Sequence, residues 1–123
     1  MRGTLVAAAV LALIGSVATS PASAQGSRQI SGLASFYDKN YVGKTARGER
    51  YDGKKFTAAH RTLPFGTRLR VTDPKSRRSV LVIVNDRGPF IKGRVFDLSY
   101  AAAQALRMER RGLVKVTASV EKP

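Results

Sequence analysis

Apolar side chains recur with a period of two over much of the chain, and this alternation constrains the fold more than any other feature. It is clearest over residues 67–72 and 114–120. Residues 79–84 form a β-branched apolar run, long enough for a strand buried on both faces. Residues 32–37 and 93–98 are weaker candidates. Because a period of two puts successive side chains on opposite faces of a sheet, all five segments are predicted to be strands.

Turn and cap signals connect these strands. Asp73-Pro74-Lys75-Ser76 has turn chemistry and predicts a hairpin between the strands that flank it. Ser99 is a suitable N-cap for an alanine-rich helix over residues 100–107, which Gly112 would stop. Many short strands with little helix in a small chain predict a mainly β fold, a compact barrel with a helical insertion.

The first 24 residues have the organisation of an export signal. Met1-Arg2 gives a positive start, an apolar stretch runs from Leu5 to Val17, and Ala22-Ser23-Ala24 is a small-x-small cleavage site. The alternative is a transmembrane anchor, but a spanning helix needs about 20 apolar residues, and this stretch is shorter. We therefore expect cleavage at this site, a polar leader at 25–29 and a single domain at 30–121.

The chain has no cysteine and a single histidine. Without disulfides, hydrophobic packing alone must hold the domain. Without cysteine, a lipid cannot be attached at the cleavage site. We expect a soluble, unlipidated protein in the periplasm or secreted, with no integral membrane segment after cleavage. A lone histidine with no cysteine cannot build a metal site, so neither a metal nor another cofactor is expected.

The formal net charge of +14 favours anionic partners. Nucleic acid is the usual inference, but export argues against it. A nucleic-acid surface would also interleave aromatic residues with bases; this chain has no tryptophan, and its four tyrosines and five phenylalanines are scattered. Anionic polymers of the cell envelope, or a membrane surface, are the better candidates. The alternative is that the bases are dispersed, solvated charges.

Three segments carry candidate functional residues. His60 could be catalytic, although a structural role is favoured because histidine serves many ordinary hydrogen-bonding roles. Asp86 directly follows the apolar strand within residues 85–90, where it could be a general acid or base, or simply part of a turn. Glu49 and Asp52 are further carboxylates between basic neighbours, and Asp52 is expected in a solvated loop.

Five motifs occur in order along the chain: Gly32-x-Ala34-Ser35-Phe36-Tyr37, Thr45-Ala46-x-Gly48-Glu49, the histidine segment from Thr57 to Thr67, Asn85-Asp86-Arg87-Gly88-Pro89-Phe90, and Asp97-Leu98-Ser99-x-Ala101-Ala102. Together they resemble the rare lipoprotein A family, the septal-ring lytic transglycosylases. The resemblance implies a six-stranded double-psi β-barrel with one or two short helices. It also implies an endolytic enzyme that cleaves the MurNAc–GlcNAc bond of peptidoglycan without water, and we expect it to act as a monomer. Such enzymes prefer strands without stem peptides and leave anhydro-MurNAc ends.

The resemblance implies site residues as well. The aspartate at position 86 is the expected catalytic acid, and Glu49 and His60 are expected to line the same cleft and support it. The remaining candidates are expected to bind the glycan: Tyr37, Arg61, Asn85 and Arg87. Ordinary glycosidases need two carboxylates. Here the C6 hydroxyl of the sugar attacks, so one residue can protonate the leaving oxygen and then accept the hydroxyl proton.

Asp86 must carry a proton near neutral pH, which the charge of Arg87 would oppose unless that side chain points away, as neighbours on an extended chain do.

The alternative function is a non-catalytic, expansin-like module that binds or loosens the wall. Expansins share the barrel and a matching aspartate but cut no bond. The presence of Glu49, His60 and Asp86 together favours the enzyme.

Overall fold

The structure, a computed structural model, describes residues 28–121 as a closed barrel of six strands with a short helix. The elements are β1 (Gln29–Phe36), β2 (Thr57–Ala59), β3 (Arg68–Asp73), β4 (Arg78–Asp86), β5 (Arg94–Leu98), α1 (Tyr100–Ala105) and β6 (Val114–Glu121). The mainly β barrel predicted from the sequence is confirmed. The predicted export signal lies outside the described residues. Within them, no helix has both the length and the hydrophobicity to cross a membrane.

The strands follow the order β1-β5-β2-β4-β3-β6 around the barrel. β1 pairs with β5, and β2 with β4, in parallel; the other four pairings are antiparallel. The predicted hairpin is β3–β4, with Asp73 opposite Arg78. Alternation along the strands fills the barrel with apolar side chains: Leu69, Val71, Val80, Val82, Val84, Phe96, Leu98, Val114, Val116 and Ala118.

The expectation that the strand at residues 79–84 is buried on both faces is wrong. Val80, Val82 and Val84 face the core, whereas Ile83 on the other face is 40% exposed. The barrel has a single interior, so the outer side of β4 meets solvent wherever no loop covers it.

Two irregularities of register change which side chains face outward. The pairing of β1 with β5 shifts between Leu33 and Ala34, which leaves Val95 as an extra residue in β5. The pairing of β2 with β4 shifts between Ala58 and Ala59, which leaves Asn85 as an extra residue in β4. Such bulges reorient the side chains that follow them. The second one places Asp86 on the outer face of the wall.

The helix ends earlier than the sequence predicts. Ser99 caps it as expected, because its hydroxyl accepts from the backbone N–H of Ala102 at 3.2 Å. The last helical residue is Ala105, and Arg107 takes a left-handed conformation with a φ of 55°. The backbone N–H groups of Arg107 and Met108 then donate back to carbonyls of the last turn at 2.9 and 3.0 Å, a Schellman ending. This reversal buries Met108 completely.

Candidate functional site

Four neighbouring strands bring polar side chains onto one outer face of the barrel. Ala59 in β2 lies opposite Asp97 of β5 on one side and opposite Asp86 of β4 on the other. Ser35 of β1 lies opposite Asp97, and Tyr37 directly follows β1. Across the three strands, Ala59, with its small side chain, is therefore the one residue between the two aspartates. We call this group of residues the carboxylate face.

Three hydrogen bonds hold the carboxylate of Asp86. One oxygen, Oδ2, accepts from the hydroxyl of Tyr37. The other, Oδ1, accepts from the backbone N–H of Ala46 at 2.7 Å and from that of Arg87 at 2.8 Å. Hydrogen bonds donated to a carboxylate stabilise its charged form. The three donors thus hold the Asp86 carboxylate in one orientation, in which it accepts hydrogen bonds.

Tyr37 belongs to a cluster of three tyrosines beside Asp86. Its ring stacks on that of Tyr51 with centroids 4.4 Å apart and meets that of Tyr41 at 5.2 Å. Burial, the hydrogen bond to Asp86 and nearby negative charge raise the pKa of Tyr37 well above its ordinary value. Its hydroxyl therefore stays protonated and remains a donor to Asp86. The sequence predicted Tyr37 at the site but not the other two tyrosines.

Glu49 lies beside the end of β4, on an exposed turn. Its carboxylate accepts from the side-chain amide of Asn85 at 3.0 Å, and its backbone oxygen accepts from the N–H of Thr45 at 2.8 Å. The same turn donates to Asp86 through the N–H of Ala46. The hydrogen bond between Asn85 and Glu49 therefore holds this turn against the carboxylate face.

His60 is buried, with 8% of its surface exposed, and its ring supports a turn. Nδ1 accepts from the backbone N–H groups of residues 62 and 63, both at 3.1 Å, and the ring packs against Phe96. Burial and three nearby arginines lower the pKa of His60 below its ordinary value. It touches Asp86 through the backbone alone, where its N–H donates to the carbonyl of Asp86 at 3.1 Å.

Both predicted arginines bind backbone oxygens of neighbouring loops. The guanidinium of Arg87 donates to two carbonyls of residues 60–63, at 3.2 and 2.8 Å, and lies 4.0 Å from the ring centroid of Phe65. Arg61 donates to two carbonyls of residues 89–94, at 3.3 and 2.8 Å. Arg87 therefore points away from the adjacent carboxylate, as expected of neighbours on an extended chain.

Asp97 and Ser35 were not predicted as site residues, although both lie within the motifs. The hydroxyl of Ser35 donates to Oδ1 of Asp97. Their positions are 62 apart in the sequence, so only the pairing of β1 with β5 could have revealed the contact. Across residues 28–121, no three His, Cys, Asp or Glu side chains are grouped so as to hold a metal ion.

Comparisons with known proteins agree with this fold. A family model described as "Lytic transglycolase" matches residues 29–118. A probable endolytic peptidoglycan transglycosylase RlpA from Nostoc sp. is 52% identical over 92 residues, which cover 72% of this chain and 25% of the relative. The corresponding protein of Aquifex aeolicus is 49% identical over 94 residues, covering 76% and 42%. That of Neisseria meningitidis serogroup A is 51% identical over 86 residues, covering 69% and 36%. The matched region is thus less than half of each relative.

Two solved structures share the fold. A Streptomyces papain inhibitor superposes with a TM-score of 0.64 at 24% identity, covering 77% of this chain and 96% of the inhibitor. An expansin of Clavibacter michiganensis superposes with a TM-score of 0.61 at 23% identity, covering 77% and 51%. At these identities the likeness concerns the fold alone.

Proposed function

The chain belongs to the rare lipoprotein A family of lytic transglycosylases, with its double-psi β-barrel, and on that premise we propose that it cuts the glycan strands of peptidoglycan. The bond cleaved joins MurNAc to GlcNAc, strands without stem peptides are preferred, and the product ends in anhydro-MurNAc. The curated relatives carry the name of endolytic peptidoglycan transglycosylases. This chain spans only part of their length, and the part that matches them is the barrel. We therefore propose that the barrel itself has the activity.

The observation that carries the proposal is the half-buried Asp86 carboxylate, held by three donors on the outer face of the barrel wall. The reaction needs one group to take a proton from the attacking C6 hydroxyl and one to protonate the leaving oxygen. From the sequence, both steps are expected of Asp86. Donors that stabilise its negative charge suit it best to the first step, in which it acts as the base.

The other candidate residues support this carboxylate in the proposal. Glu49 positions the turn that donates to Asp86, through its hydrogen bond with Asn85. His60 stabilises the turn whose carbonyls bind Arg87. Tyr37 orients Asp86 and, with its neighbouring rings, offers a surface for a sugar. Arg61 and Arg87 act by fixing the loops beside the glycan.

We place this activity in the cell envelope, in the periplasm or outside the cell, with a monomeric protein acting on glycan strands. The export signal predicted at residues 1–24 supports this location. The formal net charge of +14 supports attraction to anionic envelope polymers.

Digestion of purified peptidoglycan and of peptide-free glycan strands, followed by mass spectrometry of the sugars, tests the function. The wild-type protein should release anhydro-MurNAc ends, faster from the peptide-free strands. In Asp86→Asn the amide keeps the size of the side chain but cannot take up the proton. Turnover should fall by about 100- to 10,000-fold, while binding to the glycan should remain.

The melting temperature of each variant must be measured alongside, because loss of the fold would mimic loss of chemistry. Glu109→Gln makes the same change from carboxylate to amide at an exposed position after the helix and should keep full turnover. If folded Asp86→Asn cuts at nearly the wild-type rate, the assignment is wrong and Glu49 becomes the next candidate. A wild-type protein that binds glycan without releasing anhydro-sugars would be an expansin-like module instead.

A further inference from the structure

The carboxylate face carries a second acidic group, Asp97, that the proposed mechanism leaves unused. Asp86 and Asp97 both lie opposite Ala59, on the strands to either side of it. Neighbouring strands are about 4.8 Å apart, so the two backbones are separated by about 10 Å. A substrate that meets one carboxylate is therefore within reach of the other.

The two carboxylates have different hydrogen-bond partners. Asp86 accepts from two backbone N–H groups, which can only donate. Among residues 28–121, Asp97 accepts only from the hydroxyl of Ser35, at Oδ1. A hydroxyl can donate to a carboxylate or accept from a protonated carboxyl. Asp97 thus has a partner that could accept a hydrogen bond from a protonated carboxyl, whereas the two backbone N–H groups at Asp86 can only donate.

The second oxygen of Asp97 is accessible. It has no hydrogen-bond partner in the described part of the chain, and no buried side-chain polar atom there lacks one, so Oδ2 meets solvent. A Cβ atom at Gly88 would lie 3.8 Å from this oxygen and 3.6 Å from the ring of Phe90. Gly88, with a φ of +121°, keeps that space free of a side chain. The Phe90 ring beside it is 77% exposed.

The electrostatics of Tyr37 also indicate that the two carboxylates belong to one site. Burial makes the largest contribution to the raised pKa of its hydroxyl, followed by the hydrogen bond with Asp86 and by the charges of Asp86 and Asp97. The hydroxyl of Tyr37 therefore lies within electrostatic reach of both carboxylates.

We infer that Asp97 is the catalytic acid, which protonates the leaving glycosidic oxygen while Asp86 takes the proton of the C6 hydroxyl. The bond from C1 of MurNAc to the GlcNAc oxygen breaks, and a bond from C1 to O6 of the same MurNAc forms. One proton leaves Asp97 and one arrives on Asp86, so exchange with water restores both groups. This inference rests on the proposed function and divides the two proton transfers, both expected of Asp86 from the sequence, between Asp86 and Asp97.

Two substrates distinguish the acid from the base. One is the peptide-free glycan strand, whose leaving sugar needs a proton. The other is an aryl glycoside of a MurNAc-terminated oligosaccharide, whose phenolate leaves without one. Asp97→Asn should lose about 100-fold or more on the glycan and less than about tenfold on the aryl glycoside. Asp86→Asn should lose activity on both, because both require the C6 hydroxyl to attack.

Comparable losses on both substrates, or no loss on either, would overturn the role of Asp97. Asp97→Ser, which keeps a hydrogen-bonding partner for Ser35, replaces the amide variant if that one does not fold. Glu109→Gln again serves as the matched control, with melting temperatures for every variant. A wild-type protein that cuts neither substrate overturns the proposed function as well, whereas an active wild type with an unaffected Asp97→Asn overturns the inference alone.

Discussion

His60 illustrates how one titratable side chain can couple the site to the stability of the domain. Its Nδ1 accepts two backbone hydrogen bonds, so a proton on that nitrogen would break both. The carbonyl of the same residue accepts from Arg87. Loss of this turn would therefore also release the loop next to Asp86.

Stability should depend on pH through His60. Burial, with nearby positive charge, lowers the pKa of His60 in the folded state, so the unfolded chain binds a proton more readily. The stabilisation is complete above the ordinary pKa of about 6.5 and is lost as the pH falls below it, by at most about 1.4 kcal/mol per pH unit. Urea unfolding at pH 7, 6 and 5 measures this loss.

His60→Asn provides the control for this prediction. The asparagine side chain can accept from the same backbone N–H groups and does not titrate. Its free energy of unfolding should change less than that of the wild type between pH 7 and 5. If the free energy of unfolding changed equally with pH in the two proteins, other groups would be responsible for the pH dependence.

At the level of elements, an ion pair with a buried carboxylate joins the hairpin to the segment that follows the helix. Arg111 donates to the carboxylate of Asp73 at 2.6 Å, and Asp73 is 1% exposed. The N–H of Lys75 and the hydroxyl of Ser76 donate to the same carboxylate. Burial alone would raise the pKa of Asp73, but these three donors hold it below its ordinary value.

Removing the charge of Arg111 should destabilise the barrel. Arg111→Gln leaves a buried carboxylate without its ion-pair partner, which should cost about 1–3 kcal/mol in denaturant unfolding. The matched control is Arg70→Gln, which breaks a pair with Glu121 at 3.3 Å in which both side chains are exposed. That change should cost less than about 1 kcal/mol. Equal costs would mean that the pair with the buried carboxylate contributes no more than the exposed pair.

The sequence predicted the regular strands more clearly than the irregular ones: β5 was only a weaker candidate, at residues 93–98, and β2 was not predicted. β3, β4 and β6 keep a period of two. The extra residue Val95 interrupts that period in β5, and β2 has only three residues, too few to show a pattern. The helix end was missed because Arg107 occupies a left-handed position at which glycine is usual.

The same limit applies to the site. Tyr37, Glu49 and Asp86 were predicted from their motifs, and the structure brings them together. Asp97 was not predicted, because its relation to Asp86 depends on two strand pairings and on the bulge in β4. Neither the pairings nor the bulge has a local sequence signal.

For the molecule as a whole, the net charge of +14 should dominate adsorption to the cell wall. Exposed charges are screened beyond about 8 Å at physiological ionic strength. Retention on isolated sacculi should therefore fall as salt is raised, and it should be weaker on sacculi stripped of anionic polymers. Co-sedimentation at increasing salt measures it. Retention that does not change with salt would show that a shaped groove, and not the charge, is responsible for binding.

The barrel closes where its first and last strands pair, with Gln29 of β1 opposite Ser119 of β6. Tyr37 and the carboxylate face lie at the other end of β1, whose eight residues rise by about 3.3 Å each. The two ends of the fold thus leave it side by side, at the end of β1 opposite Tyr37. Close ends of this kind permit circular permutation and insertion into another protein. Linkers or partner domains could therefore be attached where the first and last strands meet, while the carboxylate face at the opposite end of β1 stays free to bind a polymer.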